Sequence, residues 1–481
     1  LKRRQYAFRF LTVLLGLTVF GILEATCRLT GWAATAPVST FEEFNAARPL
    51  FRLDTQAAEY RIAENRRLYF AEESFPAVKS HNVRRIFLLG GSTVQGRPFS
   101  IPTSFGTFLK IALKHADSDT EWQVVNCGGI SYASYRLLPI VEECIRYQPD
   151  LLIVCTGHNE FLECVTYGEV IDASSTLTQT HNWLDALHSV RLLRRMIQPS
   201  QTTAQTGAVV QPHILSEEVD AVLDHQGGLD IFTRQALRSN HITTQFGRNL
   251  QQMVNVCRNH DVPLVFVSPA SNLGDCPPFK SQFGDTIDEE TKQQVTAQLK
   301  AASQRQKDDL PASIPLLKTI TERDPNFAFS WYQLGRSLRM ANRTEEAKAA
   351  FVRARDEDIC PLRMTSALEK EILRVAADND LPFVSLQQIM EHRCRDGIVD
   401  NNVLVDHVHP SFRSNQQIAV QLIKQLALSK RDDWQPAAEA DFDIHLQSLD
   451  DLYFLSGRRT LQSLQAWAAG RGDGPPLELR R

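Results

Sequence analysis

The sequence predicts an α/β protein, a parallel sheet with helices on both faces, joined to a helical insertion. Three observations predict it. Short apolar runs of strand length recur at 85–89, 122–126, 151–155, 263–267 and 382–386, as buried parallel strands require. Stretches with helical period alternate with them, at 105–114, 137–147, 245–260, 366–377 and 416–428. The first three runs each deliver polar side chains to a glycine-containing turn, which places Ser92, the Gly128–Ser131 turn and Asn159 along one sheet edge.

Composition sets the outer bounds. A chain of 481 residues accommodates one large domain with insertions or two to three domains, and 43% hydrophobic content allows a proper core. The formal charge of −4 arises from 52 basic and 56 acidic residues, and beyond the N-terminus no basic stretch is interleaved with aromatics, so nucleic-acid binding is unsupported. Nine cysteines form no C-x-x-C pair and their odd number cannot pair fully within one chain; neither a zinc site nor a disulfide framework is expected. Cys155, set in an apolar run, reads as a small buried hydrophobe.

At the N-terminus Lys2, Arg3 and Arg4 precede an uncharged run from Phe10 to Leu23. As a helix that run reaches only about 21 Å against a hydrocarbon core of roughly 30 Å. Tyr6, Ala7 and Phe8 extend it, and Arg9 can snorkel toward the headgroups. A cleaved signal peptide is the competing reading, but the one small-x-small site, Ala34-Thr35-Ala36, lies far past the apolar run and precedes Pro37. The expectation is an uncleaved signal-anchor helix over 1–29, with the N-terminus cytoplasmic and the body periplasmic or extracellular. Residues 30–82 read as a linker, having mixed charge and aromatics without clear period.

From Val83 the motifs begin. Strand 85–89 ends in Gly90-Gly91-Ser92, strand 122–126 opens Asn126-Cys127-Gly128-Gly129-Ile130-Ser131, and strand 151–155 delivers Gly157-His158-Asn159-Glu160. Late in the chain Asp406-His407-Val408-His409 precedes Pro410. A serine hydroxyl near pH 7 needs a base, a group to orient that base and donors for the oxyanion. Asp406 and His409, three apart on a short segment, can form such a base pair. His407 is the rival base, but it would have to bend back to be held by its neighbour.

These four motifs, in this order, resemble the SGNH (GDSL-type) hydrolases over residues 83–280 and 362–428. The resemblance implies a three-layer α/β/α, flavodoxin-like domain of about five parallel strands and an ester hydrolase activity. It implies Ser92 as nucleophile, His409 as general base and Asp406 as its orienting carboxylate. It further implies the Asn159 side-chain amide and the Ser92 backbone amide as oxyanion donors. Two departures stand out. The first block reads Gly-Gly-Ser where the family has Gly-Asp-Ser, and the position of the oxyanion glycine falls on Ser131, where a positive φ would be strained. Ser131 is therefore one candidate donor and Gly129 the other.

Taken singly each motif is commonplace: an Asn after a strand is usually a turn residue, Gly-Gly-Ser a tight loop, His-Pro a surface corner. Their joint occurrence in order reverses those odds. Other readings of the glycine loop fail on detail, since it lacks the last glycine of G-x-S-x-G, the lysine of a phosphate loop and dinucleotide spacing. No H-E-x-x-H or carboxylate cluster supports a metal, and no cofactor is expected.

A polar stretch over 165–235 is too long for an ordinary connection and reads as a lid, a substrate-shaping insertion or a partly disordered segment. Residues 286–361 change character: Trp331, Leu334, Gly335, Leu338, Ala347, Phe351 and Ala354 match tetratricopeptide (TPR) spacing, and Leu317 fits a weaker repeat before them. An ordinary amphipathic hairpin would show similar apolar periodicity. So few repeats cannot bury their own faces and must pack on the body or on a protein partner. The expected organisation is an anchor over 1–29, a linker over 30–82, the hydrolase domain in two parts, 83–285 and 362–430, around the TPR-like insertion 286–361, and a C-terminal helical tail over 431–481. The function expected is a membrane-anchored ester hydrolase acting on an acyl (acetyl) ester of a polysaccharide or glycolipid. The alternatives are O-acyl transfer by the same residues and an inert scaffold that binds a protein.

Overall fold

Within the segment read as a linker, Phe51–Asp54 (β1), Glu59–Ile62 (β2) and Ser74–Pro76 (β3) pair antiparallel into a small sheet of order β1-β2-β3. The computed structural model describes residues 49–165, 228–234 and 236–471, with isolated positions before residue 27. The expected anchor, the start of the linker, most of the polar stretch 165–235 and residues 472–481 lie outside the described residues. Among the described residues no helix is long and apolar enough to cross a membrane.

Such short strands need help to persist, and it comes from far along the chain. The Leu50 and Phe51 N–H groups donate to the buried Glu143 carboxylate at 2.6 and 2.9 Å. Phe51 and Phe75 meet edge to face at 5.0 Å, and Phe75 meets Phe87 at 5.4 Å.

The main sheet follows. β4 (Val83–Gly90) runs into the one-turn helix α1 (Ser92–Gln95), then α2 (Phe105–Ala116) and β5 (Glu121–Gly128). Next come α3 (Ser134–Ile145), β6 (Leu151–Cys155), α4 (Ala236–Asn259) and β7 (Leu264–Ser268). Four helices intervene: α5 (Glu289–Asp308), α6 (Leu310–Arg323), α7 (Ala328–Met340) and α8 (Thr344–Asp356). The chain then returns through α9 (Ser366–Asp378) to β8 (Phe383–Ser385) and α10 (Leu386–Glu391), and closes with α11 (Phe412–Gln425), α12 (Trp434–Ser448) and α13 (Asp451–Arg471).

All five strands of this sheet are parallel, in the order β5-β4-β6-β7-β8. The chain order therefore reverses at β4, and the crevice between the carboxyl ends of β4 and β6 is where such a sheet takes ligands. Side chains alternate across β4. Ile86 and Leu88 face a core built with Phe105, Phe108 and Leu109 of α2 and Ile418, Leu422 and Ile423 of α11. Phe87 points the other way, against Phe75 and Tyr147. Helix α12 covers α2, with Phe108 and Phe442 5.1 Å apart and His115 Nε2 2.8 Å from Asp441.

Helices α5–α8 have their own core, with Val295, Leu299, Leu317, Leu334, Leu338, Ala347, Phe351 and Ala354 all buried. Gly335 lets α7 and α8 approach closely, since a methyl there would lie 2.7 Å from the Phe351 ring. This bundle is tied to the α/β body by Arg339, which pairs with Asp396 at 2.6 Å and Asp400 at 2.7 Å.

Candidate active site

β4 ends at Gly90, with Gly91 after it, and both positions are crowded. A methyl on Gly90 would lie 2.2 Å from the Cys155 carbonyl oxygen of the neighbouring strand, and one on Gly91 would lie 2.7 Å from the Asn159 amide nitrogen. The chain then turns into α1, with Ser92 at its first position. The N–H groups of Gly96 and Arg97 donate to the Ser92 carbonyl at 3.1 Å, pinning the turn under the serine. Ser92 Oγ projects into a cavity of about 370 Å³ at the β4/β6 crevice.

His409 reaches that cavity from the far end of the sequence. Its segment is a tight loop: the Val405 N–H donates to the His409 carbonyl at 2.8 Å, and Leu404 bridges Pro410. His409 Nε2 lies 2.8 Å from Ser92 Oγ, and its Nδ1 lies 2.6 Å from Asp406 Oδ2. The other oxygen, Asp406 Oδ1, accepts the N–H groups of Val408 at 2.9 Å and His409 at 2.8 Å. Burial works to raise the Asp406 pKa, but the His409 charge and its hydrogen bond, with His407 and the Val408 N–H, hold the carboxyl well below its ordinary value. An ionised carboxylate only accepts, so His409 Nδ1 carries the proton and Nε2 is left bare to take one from Ser92.

His407, the rival base, has Nδ1 3.8 Å from Asp406 and no hydrogen bond there. Burial pushes its pKa down to about 4, so it is neutral at pH 7. Its carbonyl accepts the Asn272 N–H at 3.0 Å, and the Asn272 amide donates to the Asp406 carbonyl at 3.0 Å. The loop after β7 thus supports the Asp-His segment. Arg363 in turn holds that loop through the carbonyls of Asn272 and Cys276 at 2.8 and 2.7 Å.

The two candidate donors from the second motif separate clearly. The Gly129 N–H already donates to the Gly90 carbonyl at 2.9 Å, so Gly129 has no free donor to offer an oxyanion. Ser131 adopts φ +62°, the left-handed conformation that its side chain disfavours, and lines the cavity beside Ser92 and Asn159. Asn159 Nδ2 donates one hydrogen to the Tyr132 carbonyl at 3.1 Å, which fixes the amide and leaves its second hydrogen for the cavity. The antiparallel sheet segment buttresses this turn. The Ile130 N–H and Gln95 Nε2 both donate to the Tyr69 carbonyl, at 3.0 and 2.8 Å, and Arg66 donates to the Tyr132 hydroxyl at 2.7 Å.

Glu160, next in the third motif, does not face the cavity chemistry. It accepts the Ser134 N–H and hydroxyl at 2.8 Å each, tying β6 to the start of α3, and burial raises its pKa to about 7.

The fourth wall of the cavity is α13, through Thr460, Ser463, Leu464 and Trp467. Trp467 packs on Phe279 at 6.0 Å and on His407 at 6.4 Å, and Gln465 donates to the Val405 carbonyl at 3.1 Å. Nothing in the sequence of this tail announced that role. Arg97, five residues after Ser92, also lines the cavity and belongs to none of the motifs. Among the described residues no group of three or more His, Cys, Asp or Glu could hold a metal ion.

No protein-family model matches the chain. No curated protein matches it either. Solved structures with a partial likeness include an acetylxylan esterase from Geobacillus stearothermophilus, at 11% identity and a TM-score of 0.33, over 74% of this chain and 98% of that one. Another is a lipolytic protein of G-D-S-L type from Desulfitobacterium hafniense, at 9% identity and a TM-score of 0.31, over 71% of this chain and 98% of that one. A third is an alpha/beta hydrolase from the metagenome of Lake Arreo, at 10% identity and a TM-score of 0.31, over 72% of this chain and 95% of that one. Likeness at this level carries no weight for activity or substrate.

Proposed function

We propose that this chain is a serine ester hydrolase in which Ser92, His409 and Asp406 act as nucleophile, general base and orienting carboxylate. The observation that carries the reading is the unbroken relay of hydrogen bonds from Ser92 Oγ through His409 to Asp406, at 2.8 and 2.6 Å. In the acylation step Ser92 Oγ bonds to the ester carbonyl carbon as its proton passes to His409 Nε2. The tetrahedral oxyanion is met by the Ser92 and Ser131 N–H groups and the second Asn159 amide hydrogen. Collapse breaks the bond to the alcohol, which leaves with the proton from His409. Water, deprotonated by the same imidazole, then attacks the acyl-enzyme and releases the acid and Ser92.

The substrate in this reading is an acyl ester, acetyl in the first place, of a carbohydrate or glycolipid. That choice follows from the N-terminal run, which we read as a membrane anchor that places the body outside the cytoplasm. We read α5–α8 as the TPR-like insertion, supported by the burial of its spaced small and apolar residues and by the close contact of Gly335 with Phe351. A protein partner would dock on it.

The test is hydrolysis of a chromogenic acetyl ester by the purified protein and by Ser92→Ala. A loss of at least a hundredfold in the variant is the result expected; equal rates would remove the enzyme reading. Including a sugar acceptor and counting acyl-sugar against free acid separates hydrolysis from transfer.

A further inference from the structure

Within the cavity that holds Ser92, a charged side chain stands outside the hydrolytic machinery. Arg97 is the only arginine or lysine among the described residues that line it. It follows the turn that carries Ser92, and its N–H is fixed on the Ser92 carbonyl at 3.1 Å, so the position of its backbone is set by the nucleophile itself. Its guanidinium makes no hydrogen bond or ion pair with any described residue. Every other buried or half-buried arginine around the site has an assigned partner: Arg66 bonds Tyr132, Arg136 bonds Glu163, and Arg363 bonds the loop carbonyls. Burial works against the Arg97 charge, and Asp406 is the group whose charge supports it. That carboxylate is already engaged by His409 and two backbone N–H groups, and no hydrogen bond or ion pair joins it to the Arg97 guanidinium.

A half-buried guanidinium beside a nucleophile, with five donors and no hydrogen-bond partner among the described residues, is costly unless something arrives to accept them. Among the described residues the remaining walls offer no carboxylate. They are the hydroxyls of Thr460 and Ser463, the apolar Leu362, Leu464 and Trp467, and His158 and His407, whose pKa values burial drives down. The loop that bears Arg97 is held in place against this wall. A methyl on Gly457 would lie 1.9 Å from the Phe99 ring, and one turn further along α13 stands Thr460. The Tyr453 hydroxyl lies 2.8 Å from Thr103 Oγ1.

Building on the hydrolase reading, we infer that Arg97 is a specificity-determining residue that binds an anionic group of the substrate, a carboxylate or a sulfate, carried close to the ester that Ser92 attacks. A planar fork of donors suits either oxyanion in a bidentate pair. The alcohol side of the ester is then an acidic sugar, with the anion anchored at Arg97 while the acyl carbon meets Ser92.

The test compares acetyl release from three monoacetylated sugars: a methyl glucoside, the corresponding glucuronoside and the glucoside bearing a sulfate. The wild-type protein should prefer one or both anionic sugars by at least tenfold in kcat/KM, and which of them it prefers identifies the anion. In Arg97→Gln that ratio should fall toward one, and in Arg97→Lys it should be partly restored. A purely supporting role for Arg97 toward Asp406 would lower turnover of all three sugars alike and leave the ratio unmoved, which would overturn the inference, as would a wild-type protein that does not distinguish them. A second measurement needs no turnover of sugar. Labelling of Ser92 by an uncharged fluorophosphonate should be slowed by methyl glucuronoside or by methyl glucoside sulfate in the wild type, and several-fold less in Arg97→Gln. Failure of Ser92 to label at all sinks the hydrolase reading; labelling that neither anion slows, in wild type or variant, sinks the assignment of Arg97 alone.

Discussion

Replacing Asp406 with asparagine is the sharpest perturbation the geometry offers, because it conserves shape and reverses one hydrogen bond. Oδ1 accepts two backbone N–H groups, at 2.9 and 2.8 Å, so an NH₂ group cannot sit there without opposing two donors. The asparagine oxygen must take that place and the NH₂ must face His409 Nδ1. It will donate to that nitrogen, which moves the imidazole proton to Nε2. The ring then donates to Ser92 Oγ across the 2.8 Å contact and can no longer accept from it. Loss of the base in this way costs about ten-thousand-fold in kcat, or ~5.5 kcal/mol of barrier. The assay is steady-state hydrolysis of an acetyl ester, with circular dichroism and thermal melting to show that Asp406→Asn remains folded. The tautomer can be read directly from the nitrogen shifts of labelled histidine. An Asp406→Asn protein within tenfold of wild type, with its fold intact, would refute the assigned relay.

Further outcomes follow from the same geometry. Asn159→Ala should lower kcat about a hundred- to a thousandfold with little change in KM, since it removes one oxyanion donor from the transition state; a change confined to KM would place Asn159 in ground-state binding instead. His407→Asn tests a pH effect. With its folded pKa near 4 against the ordinary 6.5, His407 takes up a proton on unfolding anywhere between those values, so it makes stability fall as pH drops through that window. Denaturant titrations at pH 6.5 and 4.5 should show wild type losing about 2 kcal/mol more than the variant, and parallel curves would contradict this. Gly128→Ala should destabilise the protein by about 1–3 kcal/mol, because its methyl would lie 2.3 Å from the Gln95 backbone nitrogen, where neither chain can yield; an unchanged melting temperature would refute the close packing of the second motif on α1.

What the sequence made legible, and what it hid, divides by the range of the interactions involved. The parallel strands were visible because burial on both faces makes each a continuous apolar run, and their helices because one face of each is apolar at a fixed period. Ser92, Asp406 and His409 were visible as candidates because each lies in a short motif of specific residue types, Gly-Gly-Ser after a strand and Asp-x-x-His before a proline, although 317 positions separate Ser92 from His409. The choice between Gly129 and Ser131 was not, since it turns on which N–H is already taken, and the Gly90 carbonyl that takes the one from Gly129 belongs to a different strand. The small antiparallel sheet was read as a linker for a related reason. Its strands are three or four residues long, and what holds them is Glu143 and an aromatic cluster that includes Phe87 and Tyr147. Helix α13 docks through a few scattered contacts, Gly457 on Phe99, Gln465 on Val405 and Trp467 on Phe279. No periodic stripe marks such contacts, so a tail with no readable function forms a wall of the site.

The central claim is that Ser92 becomes covalently acylated with His409 as its base. Rapid quenching during turnover of an activated acetyl ester, followed by mass spectrometry of the peptide that contains Ser92, tests it most directly. The account predicts one acetyl group on Ser92 in the wild type and none in His409→Ala. Full turnover by Ser92→Ala, or an acetyl group found on another residue while Ser92 stays free, would contradict it.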